Sequence, residues 1–339
     1  MDDGGQAQVN GKNGWYIPNP NGSFEWFDNQ ALEKRLVDQN KFGKLEKVKN
    51  PTKFFLYSKV NPSEGTQITT NRKSVERSYF DANKPTYFLI HGWLNSYKTI
   101  FIEKIRNAML RYEDCNVIVV DWPRARTGFF SAFFAVPGVG KQVATMIDFL
   151  HEQFGMSFET LTVVGHSYGG QVCGFTGKNV KTGKIHKIIG LDPAGIVFFY
   201  DKPEARLAIT DAVYVQVIHT DAGKLGFKEP IGNSDFYVNG GNSQPLCGPE
   251  VIGICSHLLS CYYYAEVLEL NDFGSIRCDD FEHAKMKNCG SIFSGVRMGA
   301  RDVQEEVEGI FFVPVRFKYP FGVLNSTDTT NAFTTWSGN

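Results

Sequence analysis

The stretch Leu161-Thr162-Val163-Val164-Gly165-His166-Ser167-Tyr168-Gly169 decides the fold of this chain. Its first four residues are typical of a buried strand, and they lead into a Gly-x-Ser-x-Gly pentapeptide that is followed by small residues able to form a helix. On such a strand-to-helix turn the serine hydroxyl is exposed above the sheet. Glycine is needed two positions away on either side, because the two backbones approach closely. The pentapeptide alone is a weak signal, and the buried-strand pattern before it makes Ser167 the candidate nucleophile.

Other buried strands are predicted on both sides of this turn. Residues 87–90 and 117–120 precede it and residues 187–191 follow it, while residues 139–150 have the apolar spacing of a crossover helix. Strands that alternate with helices predict an α/β fold whose central sheet is mainly parallel and is covered by helices on both faces. In such a fold the functional loops lie at the carboxyl ends of the strands.

The chain is predicted to contain one main domain, residues 51–320, with a polar, turn-rich extension of residues 1–50 packed on it. Residues 321–339 are expected to form a tail that is too short for a second folded domain. The apolar run at residues 129–136 has two interpretations. It is either a buried segment before the crossover helix, or a surface that contacts acyl chains or a lipid interface.

The composition is that of an ordinary globular protein, because 42% of the 339 residues are hydrophobic and 21% are charged. The net charge of −1 argues against nucleic acid as the main partner, since nucleic-acid binding needs an excess of positive charge. The apolar run at residues 129–136 is too short to span a membrane, so no transmembrane segment is expected.

Four of the seven cysteines lie in two short loops, and each loop can be closed by a disulfide: Cys247 with Cys255, and Cys278 with Cys289. Metal binding is the competing interpretation, but neither pair has CxxC spacing or a matching pair of histidines. Cys115 and Cys173 are predicted to be buried free thiols, and Cys261 has no assigned partner. The chain opens without a recognisable secretory signal, yet the cysteines favour an extracellular protein whose presequence is not part of this sequence.

A serine hydroxyl needs a base to take its proton, and in the α/β-hydrolase order the acid and then the histidine follow the serine. His219, His257 and His283 come after Ser167. The first ends a buried strand and the last lies in a charged loop, so both are more typical of structural or surface residues. His257 follows a predicted disulfide and precedes a helix, which is a fixed and accessible position, and we favour it as the base.

The acid and the oxyanion donors are predicted from strand ends. Asp192 ends the first strand after the turn, whereas Asp121 ends a strand before it, and either aspartate is equally well explained as a turn former. The backbone N–H groups of Tyr168, directly after the serine, and of Trp93, in the loop after an earlier strand, are the expected oxyanion donors. His166 points away from the serine on such a turn and is assigned no proton transfer.

These motifs resemble those of the pancreatic lipase family, and the resemblance covers roughly residues 50–320 in unbroken order. The matching stretches are Ile90-His91-Gly92-Trp93, Val120-Asp121-Trp122, Val164-Gly165-His166-Ser167-Tyr168-Gly169, Gly190-Leu191-Asp192-Pro193-Ala194, Val217-Ile218-His219-Thr220-Asp221, Asp235-Phe236-Tyr237-Val238-Asn239-Gly240-Gly241 and Cys255-Ser256-His257-Leu258.

The resemblance implies an α/β-hydrolase fold and a secreted hydrolase of lipid esters that needs no cofactor. It also implies Ser167 as nucleophile, Asp192 as acid and His257 as base, with Trp93 and Tyr168 as oxyanion donors. The tryptophan of His-Gly-Trp and the aromatic N-terminal extension are most similar to insect-type neutral lipases of the family.

In the family a lid lies between two cysteines, and here it is short. The predicted lid consists of Gly248, Pro249, Glu250, Val251, Ile252, Gly253 and Ile254. So short a loop cannot cover a large apolar cleft, which resembles the phospholipase A1 branch, where an open site admits a polar head group. No carboxyl-terminal β-sandwich is present, so no colipase is expected. Ala208 interrupts the acidic pattern with which relatives hold a structural calcium, so no metal site is predicted.

The leading expectation is an enzyme that releases fatty acids from phospholipids, galactolipids or acylglycerols. One alternative is a digestive triacylglycerol lipase, since short lids occur in the insect branch generally. The other alternative is a non-catalytic lipid-binding or yolk-type protein on the same fold. Such relatives have lost triad residues, whereas all three are present here.

Overall fold

The computed structural model describes residues 7–43, 51–250, 252–299 and 307–325, which form twelve β-strands and seven α-helices. In chain order these elements are β1 (Gly14–Pro18), β2 (Phe24–Asp28), α1 (Asn29–Gly43), β3 (Lys53–Tyr57), β4 (Thr66–Ile68), α2 (Arg72–Glu76), β5 (Thr86–Ile90), α3 (Ile100–Tyr112), β6 (Asn116–Asp121), α4 (Phe129–Phe154), β7 (Leu161–His166), α5 (Tyr168–Asn179), β8 (Lys187–Leu191), β9 (Tyr214–His219), β10 (Ser234–Val238), α6 (Ile254–Leu270), β11 (Ile276–Cys278), α7 (Phe281–Met286) and β12 (Gly309–Val313).

Ten of these strands form one sheet in the order β11-β12-β10-β9-β8-β7-β5-β6-β3-β4. All neighbours from β12 to β6 are parallel, whereas β11, β3 and β4 add to the two edges as antiparallel strands. The strands predicted at residues 87–90, 117–120 and 187–191 are β5, β6 and β8. The α/β-hydrolase fold expected from the sequence is confirmed.

Helices cover both faces of the sheet. Phe88 belongs to a buried cluster on one face that includes Val143 of α4 and Val172 of α5. The next residue, Leu89, belongs to the cluster on the other face, with Ile105 of α3 and Val267 of α6. Successive side chains of a strand point to opposite faces, so a strand that is apolar throughout requires helices on both sides.

The apolar run at residues 129–136 forms the first two turns of α4, which is 26 residues long. The crossover helix thus begins ten residues before the predicted start at 139. Pro137 lies inside it, and a proline at that position reads in the sequence as a helix boundary. Phe130 is buried in the core, which agrees with the first interpretation of the run, while Phe129 also lines the pocket described below.

The N-terminal extension contains a β-hairpin that was not predicted, followed by a helix that the apolar spacing of residues 30–37 does predict. Strands β1 and β2 pair antiparallel as a hairpin separate from the ten-stranded sheet, and α1 follows directly. The hairpin packs on the beginning of α4, where the rings of Phe27 and Phe130 lie 5.7 Å apart, edge to face. Ile17 and Leu32 are each 2% exposed in the same core. Of the predicted tail, residues 326–339 lie outside the described residues.

An acidic side chain in the loop after β8 is paired within the chain. The ammonium of Lys178, on α5, donates to both carboxylate oxygens of Asp211, at 2.5 and 2.6 Å, and to the carbonyl oxygen of Arg206 at 2.8 Å. Burial lowers the pKa of Lys178, and the nearby Asp211 charge opposes that shift. Ala208, where the sequence interrupts the acidic pattern, offers no carboxylate. The Lys178 ammonium therefore neutralises this loop and ties it to the helix that follows Ser167.

Both predicted disulfides, Cys247–Cys255 and Cys278–Cys289, are present. Cys115, Cys173 and Cys261 are free and buried, which confirms the prediction for the first two and places the third in the interior of α6. None of the helices in the described ranges is long and apolar enough to cross a membrane.

Candidate active site

Ser167 occupies a sharp turn between the end of β7 and the beginning of α5. Its backbone has φ 57° and ψ −122°, a conformation that non-glycine residues rarely adopt and that is often retained at functional sites. A Cβ on Gly165 would lie 2.2 Å from the carbonyl oxygen of Gly169, and a Cβ on Gly169 would lie 2.2 Å from that of Ile90. The close approach inferred from the pentapeptide therefore exists, and it brings the strand, the turn and the helix into backbone contact.

Ser167 faces a pocket of about 240 Å³ that also contains the imidazole of His257. The walls are predominantly apolar, and among the residues that form them are Trp93, Phe129, Ile196, Leu225 and Leu258. A few convergent polar groups in an apolar cleft are the usual composition of a site for a small or amphipathic ligand.

His257, on the first turns of α6, is hydrogen-bonded to Asp192 at the end of β8, with 2.6 Å between Nδ1 and Oδ2. The second oxygen of Asp192 accepts the backbone N–H groups of Thr220, at 2.8 Å, and Asp221, at 3.1 Å. Because the Asp192 carboxylate accepts a hydrogen bond from Nδ1, the imidazole carries its proton on Nδ1. Nε2 is then free to accept a second proton. Within the described residues, Ser167 Oγ and the imidazole of His257 are not hydrogen-bonded to each other, although both side chains face the same pocket.

The other histidines and the other aspartate considered for these roles are engaged elsewhere. His219 is bonded to Asp235 at 2.8 Å and to the carbonyl of Phe227 at 3.0 Å, and it is fully buried. His283 is bonded to its neighbour Asp280 on the short surface helix α7.

Asp121 is held by His91 and Arg126, at 3.2 and 2.8 Å. Burial would raise the pKa of Asp121, but its hydrogen bonds to His91 and Arg126 outweigh burial and lower that pKa. His166 lies behind His257, to whose carbonyl its Nε2 is bonded at 3.3 Å. Burial and then the charge of His257 lower the pKa of His166 well below its usual value, so the ring is neutral.

The predicted oxyanion donors flank Ser167. Tyr168 is the first residue of α5, whose free N–H groups point toward the turn. A Cβ on Gly92 would lie 2.8 Å from Cβ of Ser167, so the loop that carries Trp93 contacts the serine. Among the described residues neither backbone N–H is hydrogen-bonded. The Trp93 ring is fixed by a bond from its indole N–H to the carbonyl of Thr127 at 2.8 Å.

The predicted lid runs up to the first residue of α6. Its disulfide closes the loop, and the carboxylate of Glu250 accepts the N–H groups of Cys255, at 2.7 Å, and Ser256, at 3.0 Å. Ile254 is already the first residue of α6, and of the seven predicted lid residues it is the one that lines the pocket; Val251 lies outside the described residues. The remaining described loop residues do not reach the pocket.

Among the described residues, two groups of side chains have donor atoms that lie close enough to one another to bind a metal ion. In the first, Cys247 and Cys255 are joined in a disulfide, so their sulfurs are not available as thiolates. The second is Asp192, Asp221 and His257, where Asp192 and His257 are hydrogen-bonded to each other. Neither donor set therefore fits a bound cation.

Asp221 is a site residue that the sequence reasoning did not single out. Its side chain is fully buried beside Asp192, and its Oδ1 has no hydrogen-bond partner in the described structure. Lys224 lies 3.8 Å away, which is too far for a hydrogen bond, and Glu250 adds negative charge. Burial, followed by repulsion from Asp192, raises the pKa of Asp221 far above its usual range. We conclude that this carboxyl is protonated at neutral pH.

Replacing Asp221 by asparagine is expected to stabilise the protein increasingly as the pH rises. A folded-state pKa above the unfolded value of about 4 means that unfolding releases a proton, so wild-type stability falls as the pH rises through this interval. The amide does not titrate, and the difference in unfolding free energy should grow by about 1.4 kcal/mol per pH unit. Urea unfolding of both proteins between about pH 5 and pH 8 measures it.

The exposed Asp280 supplies the matched control, because its hydrogen bonds to His283 lower its pKa, which is the opposite shift. The contribution of the Asp280 carboxylate itself is complete above its unfolded pKa, but the same bond raises the pKa of His283. The difference between wild type and Asp280→Asn should therefore change only while His283 titrates and stay constant as the pH rises further. A difference for Asp221→Asn that stops changing in the same way would show that Asp221 is ionised.

Several known proteins are similar to this chain in sequence. The profile of the Lipase family matches residues 25–321, which include every site residue described above. Lipase member H-A of Xenopus laevis is 35% identical over 243 residues, covering 69% of this chain and 52% of that protein.

Two mammalian proteins are similar to the same extent. Human pancreatic lipase-related protein 2 is 34% identical over 266 residues, covering 70% of this chain and 56% of that protein. Mouse pancreatic triacylglycerol lipase is 31% identical over 268 residues, covering 72% of this chain and 57% of that protein. The chain spans about half the length of the curated relatives it matches. With the profile match extending over most of its length, the chain belongs to the Lipase family.

Proposed function

We propose that this protein hydrolyses carboxylic esters of lipids, with Ser167 as nucleophile, His257 as general base and Asp192 as the acid that orients it. The observation that carries the proposal is the 2.6 Å bond between Asp192 and His257 at a pocket that also contains Ser167 on its strained turn. A serine, a histidine and a buried aspartate in this arrangement are the parts that acyl transfer requires.

In the proposed reaction, Oγ of Ser167 attacks the ester carbonyl carbon while Nε2 of His257 takes the hydroxyl proton. The negative charge that develops on the carbonyl oxygen is accepted by the N–H groups of Trp93 and Tyr168. Collapse of the tetrahedral intermediate breaks the ester C–O bond, and the departing alcohol takes the proton from His257. Water, deprotonated by His257, then attacks the acyl carbon of the acyl-serine. The bond between that carbon and Oγ breaks, Ser167 takes the proton back from His257, and the fatty acid is released.

The preferred substrate class is proposed from the walls of the site. The apolar lining accommodates an acyl chain, and the described residues of the 248–253 loop are not part of that lining, which leaves room for a polar head group. We therefore favour phospholipids, in a phospholipase A1-like reaction, with acylglycerols as the alternative. An extracellular location is supported by the two disulfides, which persist in oxidising compartments.

The test compares fatty-acid release from phosphatidylcholine vesicles and from an emulsion of a medium-chain triglyceride, with Ser167→Ala as the blank. Release from phosphatidylcholine at the sn-1 position, with little release from triglyceride, is the expected result. The reverse preference would assign a triacylglycerol lipase. The absence of release from either substrate would favour a lipid-binding protein on this fold.

A further inference from the structure

The N-terminal hairpin reaches the active-site pocket. Pro18, the last residue of β1, and Phe24, the first residue of β2, both line the pocket that contains Ser167 and His257. These two residues are opposite each other in the hairpin register, so they form its final cross-strand pair before the turn. The hairpin thus presents an apolar pair of side chains to the pocket from outside the ten-stranded sheet.

The turn beyond this pair is closed by its own hydrogen bonds. The N–H of Asn19 donates to the carbonyl of Ser23 at 2.8 Å, and the side-chain oxygen of Asn21 accepts the N–H and the hydroxyl of Ser23, at 3.0 and 2.8 Å. Such a turn fixes the register of a short hairpin. The position of Phe24 over the pocket is therefore set by local structure.

The opposite end of the hairpin is held on the main domain by apolar contacts. Trp15 and Phe27 pack against the core, and Ile17 lies within it. Of the hydrogen bonds in the described ranges, one joins the extension to the main domain, from Asn10 Nδ2 to the carbonyl of Lys224, at 3.5 Å. The base of the hairpin is thus anchored by burial, while its tip projects toward the pocket.

We propose that the N-terminal hairpin, through Phe24 and Pro18, forms a wall of the acyl-binding pocket that the described residues of the 248–253 loop do not supply, and that it limits the length of acyl chain the pocket accepts. The inference rests on the proposed function in one respect, because it takes the ligand to be an acyl chain. Each methylene that enters an apolar pocket strengthens binding about four-fold. A bulky ring in the wall of the pocket occupies space that further methylenes would need, so this gain stops at a defined chain length.

The experiment measures equilibrium binding of saturated fatty acids, from butyric to dodecanoic acid, to the full chain carrying Ser167→Ala. Three further variants are made in that background: Phe24→Ala, Phe24→Trp and the control Glu25→Ala. Glu25 is the neighbouring exposed residue on the same strand and is not part of the pocket lining. Circular dichroism and thermal unfolding establish that each variant is folded.

With the native hairpin, affinity should rise with chain length and then level off. Phe24→Ala should extend the rise to longer acids, with at least about a four-fold gain for the first additional methylene. Phe24→Trp should make it level off earlier, and Glu25→Ala should leave the profile unchanged. Identical profiles for all variants, or equal displacement of the profile by Glu25→Ala, would overturn the proposal.

Binding is measured without turnover, so this result does not depend on hydrolysis. Ester hydrolysis by the protein with Ser167 intact is measured in parallel. Loss of the proposed function would appear as absent hydrolysis with the chain-length effect of Phe24 retained. Failure of the hairpin proposal would appear as hydrolysis with an unchanged chain-length profile.

Discussion

Ser167→Ala is expected to lower kcat for ester hydrolysis by roughly 10⁴-fold or more, because the variant has no atom that can form the acyl-enzyme. The fold should be retained, since the hydroxyl makes no hydrogen bond in the described structure and the backbone turn depends on Gly165 and Gly169. Initial rates on a soluble short-chain ester, normalised to folded protein, provide the measurement.

Covalent labelling supplies an independent check on the same residue. A phosphonate ester that mimics the tetrahedral intermediate should react with one serine of the wild-type protein, and peptide mass spectrometry should locate the adduct at Ser167. The alanine variant should remain unlabelled. Full hydrolytic activity of Ser167→Ala, or labelling at a different serine, would refute the assignment.

Asp192→Asn is expected to lower kcat by about 10⁴-fold while changing the size of the side chain very little. The asparagine oxygen would stay on the backbone N–H groups of Thr220 and Asp221, so the NH2 group, which is a donor, would face Nδ1 of His257. The imidazole would then place its proton on Nε2 and could no longer act as base. The Thr220 N–H that now donates to Asp192 would retain an oxygen partner. The measurement is kcat as a function of pH, with the loss expected to be largest near neutrality.

The chain contains a matched control for this substitution. Asp235 and His219 form a second buried carboxylate–imidazole pair, with 2.8 Å between Nε2 and Oδ1, and neither residue lines the pocket of Ser167. Asp235→Asn breaks the same type of bond, so it should cost comparable stability and leave kcat per folded molecule within a few-fold of wild type. Equal losses of kcat in both variants would mean that Asp192 acts through stability alone.

Much of the fold could be predicted because its central strands are apolar on both faces. Residues 87–90, 117–120 and 188–191 are continuous apolar runs, and such runs separated by helical patterns leave few arrangements other than a parallel sheet. The turn at Ser167 was predictable for a different reason, because only glycine at 165 and 169 permits the backbone contacts observed there.

The position of the histidine partner could be predicted, but not the environment of the acid. His257 was favoured by its place after a predicted disulfide, and it is the candidate that the structure brings to Asp192. The catalytic roles of both residues remain predictions. Asp221 was missed because its burial results from the packing of Gly253 against its carboxyl group and from its position beside Asp192. No local pattern indicates such packing.

The hairpin of residues 14–28 was not predicted for a related reason. Two strands of five residues, with a proline at the end of the first, have little intrinsic tendency to pair. They are ordered because Trp15, Ile17 and Phe27 are buried against the main domain. The start of α4 was missed because a proline such as Pro137 usually marks the end or the beginning of a helix. In the structure the helix continues through Pro137 and packs along α5.

The three buried free thiols affect what happens to the protein after it unfolds. Cys115, Cys173 and Cys261 are unreactive while the chain is folded, because burial raises their pKa values and keeps oxidants away. Each unfolding event exposes them together with two disulfides, and a thiolate then attacks a disulfide and exchanges its partners. Unfolding is thereby trapped, so we expect the working lifetime of the protein to be governed by its unfolding rate rather than by its equilibrium stability.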